Sequence, residues 1–495
     1  MYRINEIKLN PYESTDKIPD LIRAVLRERN LVMKNIKIVR ESIDARHGRV
    51  KRVFTVDFDA NMTLDLPEAP DLRYKYVESK GPSERPVIVG FGPCGIFCGL
   101  ILSQMGFRPI ILERGRDVEN RTRDVQKFWN RKILDTESNV QFGEGGAGAF
   151  SDGKLTTGIK DPRVRKVLEE LVISGADDEI LRKQKPHIGT DKLKGIISDI
   201  RKRIIGLGGE VRFENKLTAL EINDEGEILL VINDSDTLKT KDLVSAIGHS
   251  ARDTFEMLRN SGLEMSQKPF SIGVRVRHPQ SLINRVQYGD EELSHVLGAA
   301  DYKLSYHTKE KRGVYTFCMC PGGEIIMASS QNGGVVTNGM SYHARNGKFA
   351  NSGLLVDVRC SDFGSDDVLA GVEFQKKYEK MAYDISGGYE FPRTDFGHFK
   401  GSDVYKCLPE AAGESIIEAM PYLGKKLKGF DDKRTMMFGV ETRSSSPVRF
   451  FRDENLMSNI KGIYPAGEGA GHAGGIVSAA VDGIKVAEKI ALRYR

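Results

Sequence analysis

The run VIVGFGPCGIFCG, Val87–Gly99, constrains this chain more than any other stretch. Three apolar residues lead into glycines at 90, 92 and 95, the spacing G-x-G-x-x-G, and a helical run follows. A strand that ends in a glycine turn and opens a helix is the first half of a βαβ unit. Each glycine has its own duty there: Gly90 allows the tight turn, Gly92 lets backbone approach a pyrophosphate, and Gly95 lets helix and strand pack closely. The helix start offers free N–H groups and a positive dipole to phosphate. The next apolar strand, Pro109–Leu112, ends at Glu113, placed to accept hydrogen bonds from ribose hydroxyls. Together these features predict a dinucleotide site on a parallel α/β sheet.

Near the other end, GIYPAGEGAGHAGGIVSAAVDGIKVAEKI, Gly462–Ile490, repeats the order strand, glycine turn, helix. Between the two motifs lies a third apolar strand, Leu243–Ile247, ending at Gly248. In this order the three resemble the signatures of two-dinucleotide-binding-domain flavoproteins. The resemblance implies non-covalent FAD, its ADP half on Gly90, Gly92, Pro93, Cys94, Gly95, Glu113 and Arg114. It puts Glu468, after Gly467, on the ribityl chain or pyrophosphate, and brings Leu217, Ala246 and Gly248 close to the cofactor. The helix start at Ala473, Gly474, Gly475 and Ile476 would point at flavin N1 and the C2 carbonyl. A helix dipole there stabilises the charge of reduced flavin by up to ~2 kcal/mol. Cys94 reads as a merely small residue within the fingerprint.

The segment QFGEGGAGAFSDGKLTTG, Gln141–Gly158, nearly spells a P-loop, but Leu155 stands where the metal-binding hydroxyl belongs and no strand immediately precedes it. Two readings remain. Either the loop lies along the isoalloxazine ring, with Ser151 and Asp152 at flavin N5 or the ribityl hydroxyls, or it is a mobile surface loop. Including this loop, RGVYTFCMCPGG and NGMSYHAR, the chain resembles over nearly its full length the bacterial FAD-dependent dehydrogenases, also called NAD(FAD)-utilising dehydrogenases. No second G-x-G-x-x-G follows a strand. A nicotinamide electron donor, NADH or NADPH, would therefore bind transiently over the flavin rather than in a domain of its own.

The fold class expected is α/β: a Rossmann-type FAD-binding domain interrupted by an α+β substrate domain, with a small α+β module in front. The boundaries read as 1–80, 86–267, 268–435 and 436–495, with Pro67, Pro70, Gly81, Pro82 and Pro86 marking the first linker. The insertion should supply the substrate pocket. Within it Cys318 and Cys320 sit two apart on a strand-like run, sharing a face. Inert buried thiols are the favoured reading, and a redox pair near the flavin is the alternative. His472, inside the late glycine turn, and His343, with Arg345 and Asn338 near an anionic substrate or flavin edge, complete the catalytic candidates. His187 should cap or pack. No metal site is expected, since no C-x₂-C or His spacing completes a ligand set.

With 495 residues the chain has room for two to four domains. Lys and Arg number 74 against 69 Asp and Glu, and a formal charge of +5 is too mild to imply nucleic-acid or membrane binding. Ten basic residues against three acidic ones between Arg23 and Arg52 read as a solvated face or a docking surface, because stacking aromatics are lacking. The start MYRINEIKLN lacks a signal's apolar core, and six Cys are too few for a disulfide framework. A cytoplasmic, reduced protein without a membrane span is expected. The function expected is an FAD-dependent oxidoreductase passing hydride through flavin N5 to or from a small-molecule substrate. Two alternatives stand beside it: an RNA-acting flavoprotein resembling the tRNA-modifying glucose-inhibited division proteins, and a non-catalytic flavin or electron-transfer protein.

Overall fold

The computed structural model describes residues 1–46, 49–81, 84–223 and 226–495; Pro82 of the first linker lies outside them. Its centre is a five-stranded parallel sheet in the order Ile463–Pro465, Leu243–Ser245, Val87–Val89, Ile110–Leu112, Glu210–Arg212. A strand buried on both faces needs apolar residues on both, and these short strands supply them. Ile88, Ile111, Val244 and Tyr464 face one core, with the helices Pro93–Gln104, Thr190–Gly206 and Ile476–Leu492. Val87, Val89, Ile110, Leu112 and Leu243 face the other, under the antiparallel strands Leu217–Ile222, Ile228–Ile232 and Asp236–Thr240.

The helix Pro93–Gln104 is apolar around its whole circumference and buried from Cys94 to Ser103. That is the signature of a helix with neighbours on every side. Its closest neighbour is Ile476–Leu492, and the approach depends on Gly483, where a Cβ would stand 2.2 Å from the Cys94 carbonyl oxygen. The first and last motifs of the sequence are thus packed helix on helix.

The insertion forms a six-stranded antiparallel sheet in the order Ser305–His307, Gly313–Cys320, Phe349–Val358, Phe270–Pro279, Met436–Glu441, Arg393–Asp395. The helices Gln280–Tyr288, Ala370–Ser386 and Glu410–Lys426 pack on it. One expected boundary moves. Met436–Glu441, assigned from sequence to the C-terminal part of the FAD domain, pairs inside this sheet with Phe270–Pro279. The cross-strand ion pair of Arg275 with Glu441, 2.7 Å, holds it there. The chain leaves the insertion after Glu441 and returns through Val448–Phe450, which pairs with Met265–Gln267.

Residues 2–60 make a three-stranded antiparallel sheet, Tyr2–Leu9, Lys51–Ala60, Met33–Asp44, closed by the helix Ile18–Leu26 over its own core of Ile7, Ile22, Phe54 and Phe58. The module docks on the main body through backbone: Glu41 N–H donates to the Arg182 carbonyl at 2.7 Å, and Gln184 N–H to the Glu41 carbonyl at 2.8 Å. The linker beyond it is anchored. Tyr74 and Val77 pack on the main core, Tyr74 donates to Glu488, and Lys80 N–H donates to the Tyr494 carbonyl at 3.0 Å.

Candidate functional site

Two helix N-termini open into one cleft at the carboxyl ends of the parallel strands, where open α/β sheets bind ligands. Gly92 caps the helix Pro93–Gln104, and Gly475, φ 133°, caps Ile476–Leu492. Neither cap carries a side chain to occupy the free N–H groups of its helix's first turn. The cleft gathers Gly90, Gly92, Pro93, Cys94, Glu113, Arg114, Ser151, Asp152, Leu217, Ala246, Gly248, Glu468, Gly474, Gly475 and Ile476. Three expected contacts stand behind this wall. Gly95 is where a Cβ would collide with the Gly90 carbonyl oxygen at 1.9 Å, and Gly467 abuts Cys94 and donates its N–H to Asp482. Ala473 packs against the main core.

The glycine-rich loop is not a mobile surface segment. Arg121, fully buried, donates to the carbonyls of Asn139, Val140, Gly143, Glu144 and Gly146 and fixes the loop from below. Burial lowers its guanidinium to about 10. Gly143, Gly145 and Gly146 all have positive φ, and the Cα of Gly92 would lie 3.1 Å from a Cβ at Gly146. Arg121 was missed from sequence because it sits at a polar-looking position of an amphipathic helix, Val118–Arg131.

Several side chains do something other than expected. The Glu113 carboxylate, 4% exposed, accepts from the N–H groups of Phe91, Gly115 and Gly143 at 2.8–2.9 Å. It ties the fingerprint to the glycine loop, and of a carboxylate's roughly four acceptor positions one is left for a ribose hydroxyl. Ser151 closes a local turn, donating to the Gly148 carbonyl and accepting from Gly153 N–H. Asp152, aimed by the sequence reading at flavin N5 or the ribityl chain, is ion-paired with Arg345 and has Lys154 at 3.9 Å. Arg114 stacks on Phe142 and holds Asp253 and Glu137. Glu468 lies 4.0 Å from His249 and near Lys268, and burial pushes its carboxyl up to about 7.

The opposite wall comes from the insertion, with Phe317, Cys318 and Asn338, and from the segment that leaves it, with Arg443 and Ser444. Cys318 is therefore a cleft residue rather than the buried thiol favoured from sequence, while Cys320 is fully buried. His343 and His472, the other two candidates, do not line the cleft. His343 stacks on His187 and bonds the Ile188 carbonyl, and His472 bonds the Phe450 carbonyl at 3.0 Å. Sequence reading also missed His249, although it follows Gly248 directly. Its Nε2 is buried without a partner, and burial with the Arg443 and Arg252 charges pushes the ring down to about 3. Glu379 joins the two walls, accepting from Arg252, Arg443 and Thr442.

The residues fit FAD. Glycine backbone lines the floor, two N-termini face it, and His249 offers an orphaned ring nitrogen at its edge. An uncharacterised protein of Clostridium beijerinckii is 44% identical to this chain over 533 aligned positions covering 99% of each. The chain belongs to that protein's family. Within it, residues 269–404 match the family described as FAD-dependent protein, C-terminal domain-like, and residues 1–59 match a domain of unknown function. The cofactor is FAD, and the parallel sheet with its glycine-capped helix is of Rossmann type. Among solved structures, a flavoprotein/dehydrogenase from Cytophaga hutchinsonii aligns at 12% identity over 82% of this chain and 76% of its own, TM-score 0.35. Halogenase PltM aligns at 11% over 83% and 68%, TM-score 0.38. Likenesses this distant say nothing about what this family acts on. Among the described residues, no helix is long and apolar enough to cross a membrane, and no group of three or more His, Cys, Asp or Glu could hold a metal.

Proposed function

We propose that the chain is an FAD-dependent oxidoreductase acting on a small molecule. The observation that carries the reading is the two-walled cleft: a glycine-lined cradle on one side and side chains of the inserted sheet on the other. Bound FAD supplies hydride transfer at N5 to or from a carbon–carbon or carbon–nitrogen bond. The chain's own share is binding, orientation and exclusion of water. The N-termini at Gly92 and Gly475 favour negative charge, at the pyrophosphate and on the reduced ring respectively. Arg121 keeps the glycine loop close to that space, and the Arg252–Glu379–Arg443 cluster holds the substrate wall at a fixed distance from it. Glu468, with its carboxyl near neutrality, is able to hold or release a proton at the cleft.

A single G-x-G-x-x-G supports transient binding of a nicotinamide donor in the same cleft. Anaerobic stopped-flow mixing of the yellow protein with NADH and with NADPH tests this. Saturable bleaching of the flavin band is expected with one of them. Failure of every nicotinamide, quinone, enoyl and imine pair to turn over would favour the non-catalytic flavoprotein instead.

A further inference from the structure

Cys318 and Cys320 stand where the strand Gly313–Cys320 loses its regular pairing. The register against Phe349–Val358 slips between Phe317 and Cys320, and Cys318 takes φ 42°, left-handed for a residue with a side chain. In a regular strand residues two apart are separated by roughly 6.5 Å. A disulfide needs Cβ atoms about 3.5–4.5 Å apart. The bulge breaks that regular spacing at this pair. The Cys320 thiol turns back along the chain and lies 3.2 Å from the Cys318 carbonyl oxygen.

The two sulfurs have different surroundings. Cys318 is partly exposed and opens on the cleft beside Phe317 and Asn338, whereas Cys320 is buried, with Arg275 Nη1 at 3.9 Å. The Cys320 hydrogen bond and the charges of Lys154 and Arg275 pull the Cys318 thiol well below the ordinary cysteine range. Burial opposes them, and so does Asp152, whose carboxylate is paired with Arg345. Burial and the neighbouring Cys318 push Cys320 the other way. A cleft-facing thiol with a buried partner two residues on is the division of labour between attacking and resolving cysteines.

We propose that Cys318 and Cys320 are a redox pair that cycles between disulfide and dithiol against the reduced flavin in the same cleft. The inference rests on the oxidoreductase reading above. In the reducing direction the S–S bond accepts two electrons and breaks. The reduced flavin anion loses two electrons and one proton; Cys320 takes that proton as a thiol, and Cys318 is left as a thiolate. One negative charge stands on each side, on the flavin before and on Cys318 after. Lys154 is a positioning residue, holding positive charge beside the sulfur that must carry negative charge.

The test uses the full chain, with and without FAD. After treatment with diamide and denaturation, four of the six cysteines should alkylate, against all six after reduction, with the two protected sulfurs in the peptide holding Cys318 and Cys320. In the folded reduced chain, iodoacetamide should label Cys318 with a midpoint well below the ordinary thiol value of about 8.5, and Lys154→Gln should raise that midpoint. Anaerobic dithionite titration should consume four electrons per FAD in the wild type and two in Cys318→Ser. Six alkylated cysteines after diamide would overturn the pair whatever the flavin content. A disulfide that forms while only two electrons are consumed would overturn the transfer and leave FAD binding untouched. A colourless chain that still forms the disulfide would overturn the flavin as its reductant and, separately, the oxidoreductase reading.

Discussion

Two glycines of one motif make opposite demands. A Cβ on Gly92 would meet nothing nearer than the Gly146 Cα at 3.7 Å, whereas one on Gly95 would collide with backbone. Gly92→Val should therefore melt like the wild type as apoprotein yet emerge colourless. Gly95→Ala should lose about 1–3 kcal/mol or more of apo stability, read by urea unfolding. A fully yellow Gly92→Val would remove the pyrophosphate from that turn. His249 makes a prediction in pH. Its ring is pushed from 6.5 down to about 3, so the unfolded chain binds the extra proton first. The stability this gives is full above about pH 6.5 and drains away as pH falls toward 3. Glu468, raised to about 7, works in the opposite sense, gaining a proton in the folded form as pH falls. Apo wild type should consequently lose more urea resistance than His249→Gln between about pH 7 and pH 4. Equal losses would place the imidazole in water. The glycines and Glu113 were legible in the sequence because their spacing encodes backbone geometry. Arg121 and His249 were not, because their partners are carbonyls and charges brought close only by the fold.

At the scale of elements, the strongest tie between the two walls is one helix meeting another through Glu379. Its carboxylate pairs with Arg252 at the start of Arg252–Asn260 and with Arg443 after Met436–Glu441, all at most 9% exposed. Glu379→Gln leaves two buried guanidinium charges short of a counter-charge, and breaking such a cluster costs about 3–5 kcal/mol. The thermal midpoint should drop well below the wild type's; an unchanged midpoint would mean that water reaches both arginines. The parallel strands and their helices were readable from short apolar runs that end in glycine. The strand Met436–Glu441 was not, since nothing in MMFGVE says which sheet it joins. That is settled by Arg275, far away in sequence, which needs the Glu441 carboxylate.

On the scale of the molecule, the N-terminal module shows why a local surplus of charge is weak evidence of a partner. Arg23 pairs with Asp20, Arg46 with Asp44 and Arg52 with Glu41, and the strand Met33–Asp44 is joined by backbone to residues 182 and 184. The full chain should show no salt-sensitive retention on RNA at physiological ionic strength. A log–log salt slope of several units would put the RNA-acting alternative first.

The helix-on-helix contact through Gly483 has a consequence in time. Half of the cofactor cradle is made early, at Val87–Gly99, and the other half, Gly467–Ile476, comes within the final thirty residues. The sheet gains its Ile463–Pro465 edge only just before them, and until they emerge the buried flank of Pro93–Gln104 lacks the cover of Ile476–Leu492. Domains acquire structure in the order they leave the ribosome, but this one cannot. The N-terminal module and the inserted sheet are free to consolidate while translation continues, and the cleft between the parallel sheet and the insertion is completed last. Flavin should therefore load onto a finished polypeptide, and chains truncated before Gly475 should purify colourless even when FAD is supplied in excess, as read from their visible absorbance.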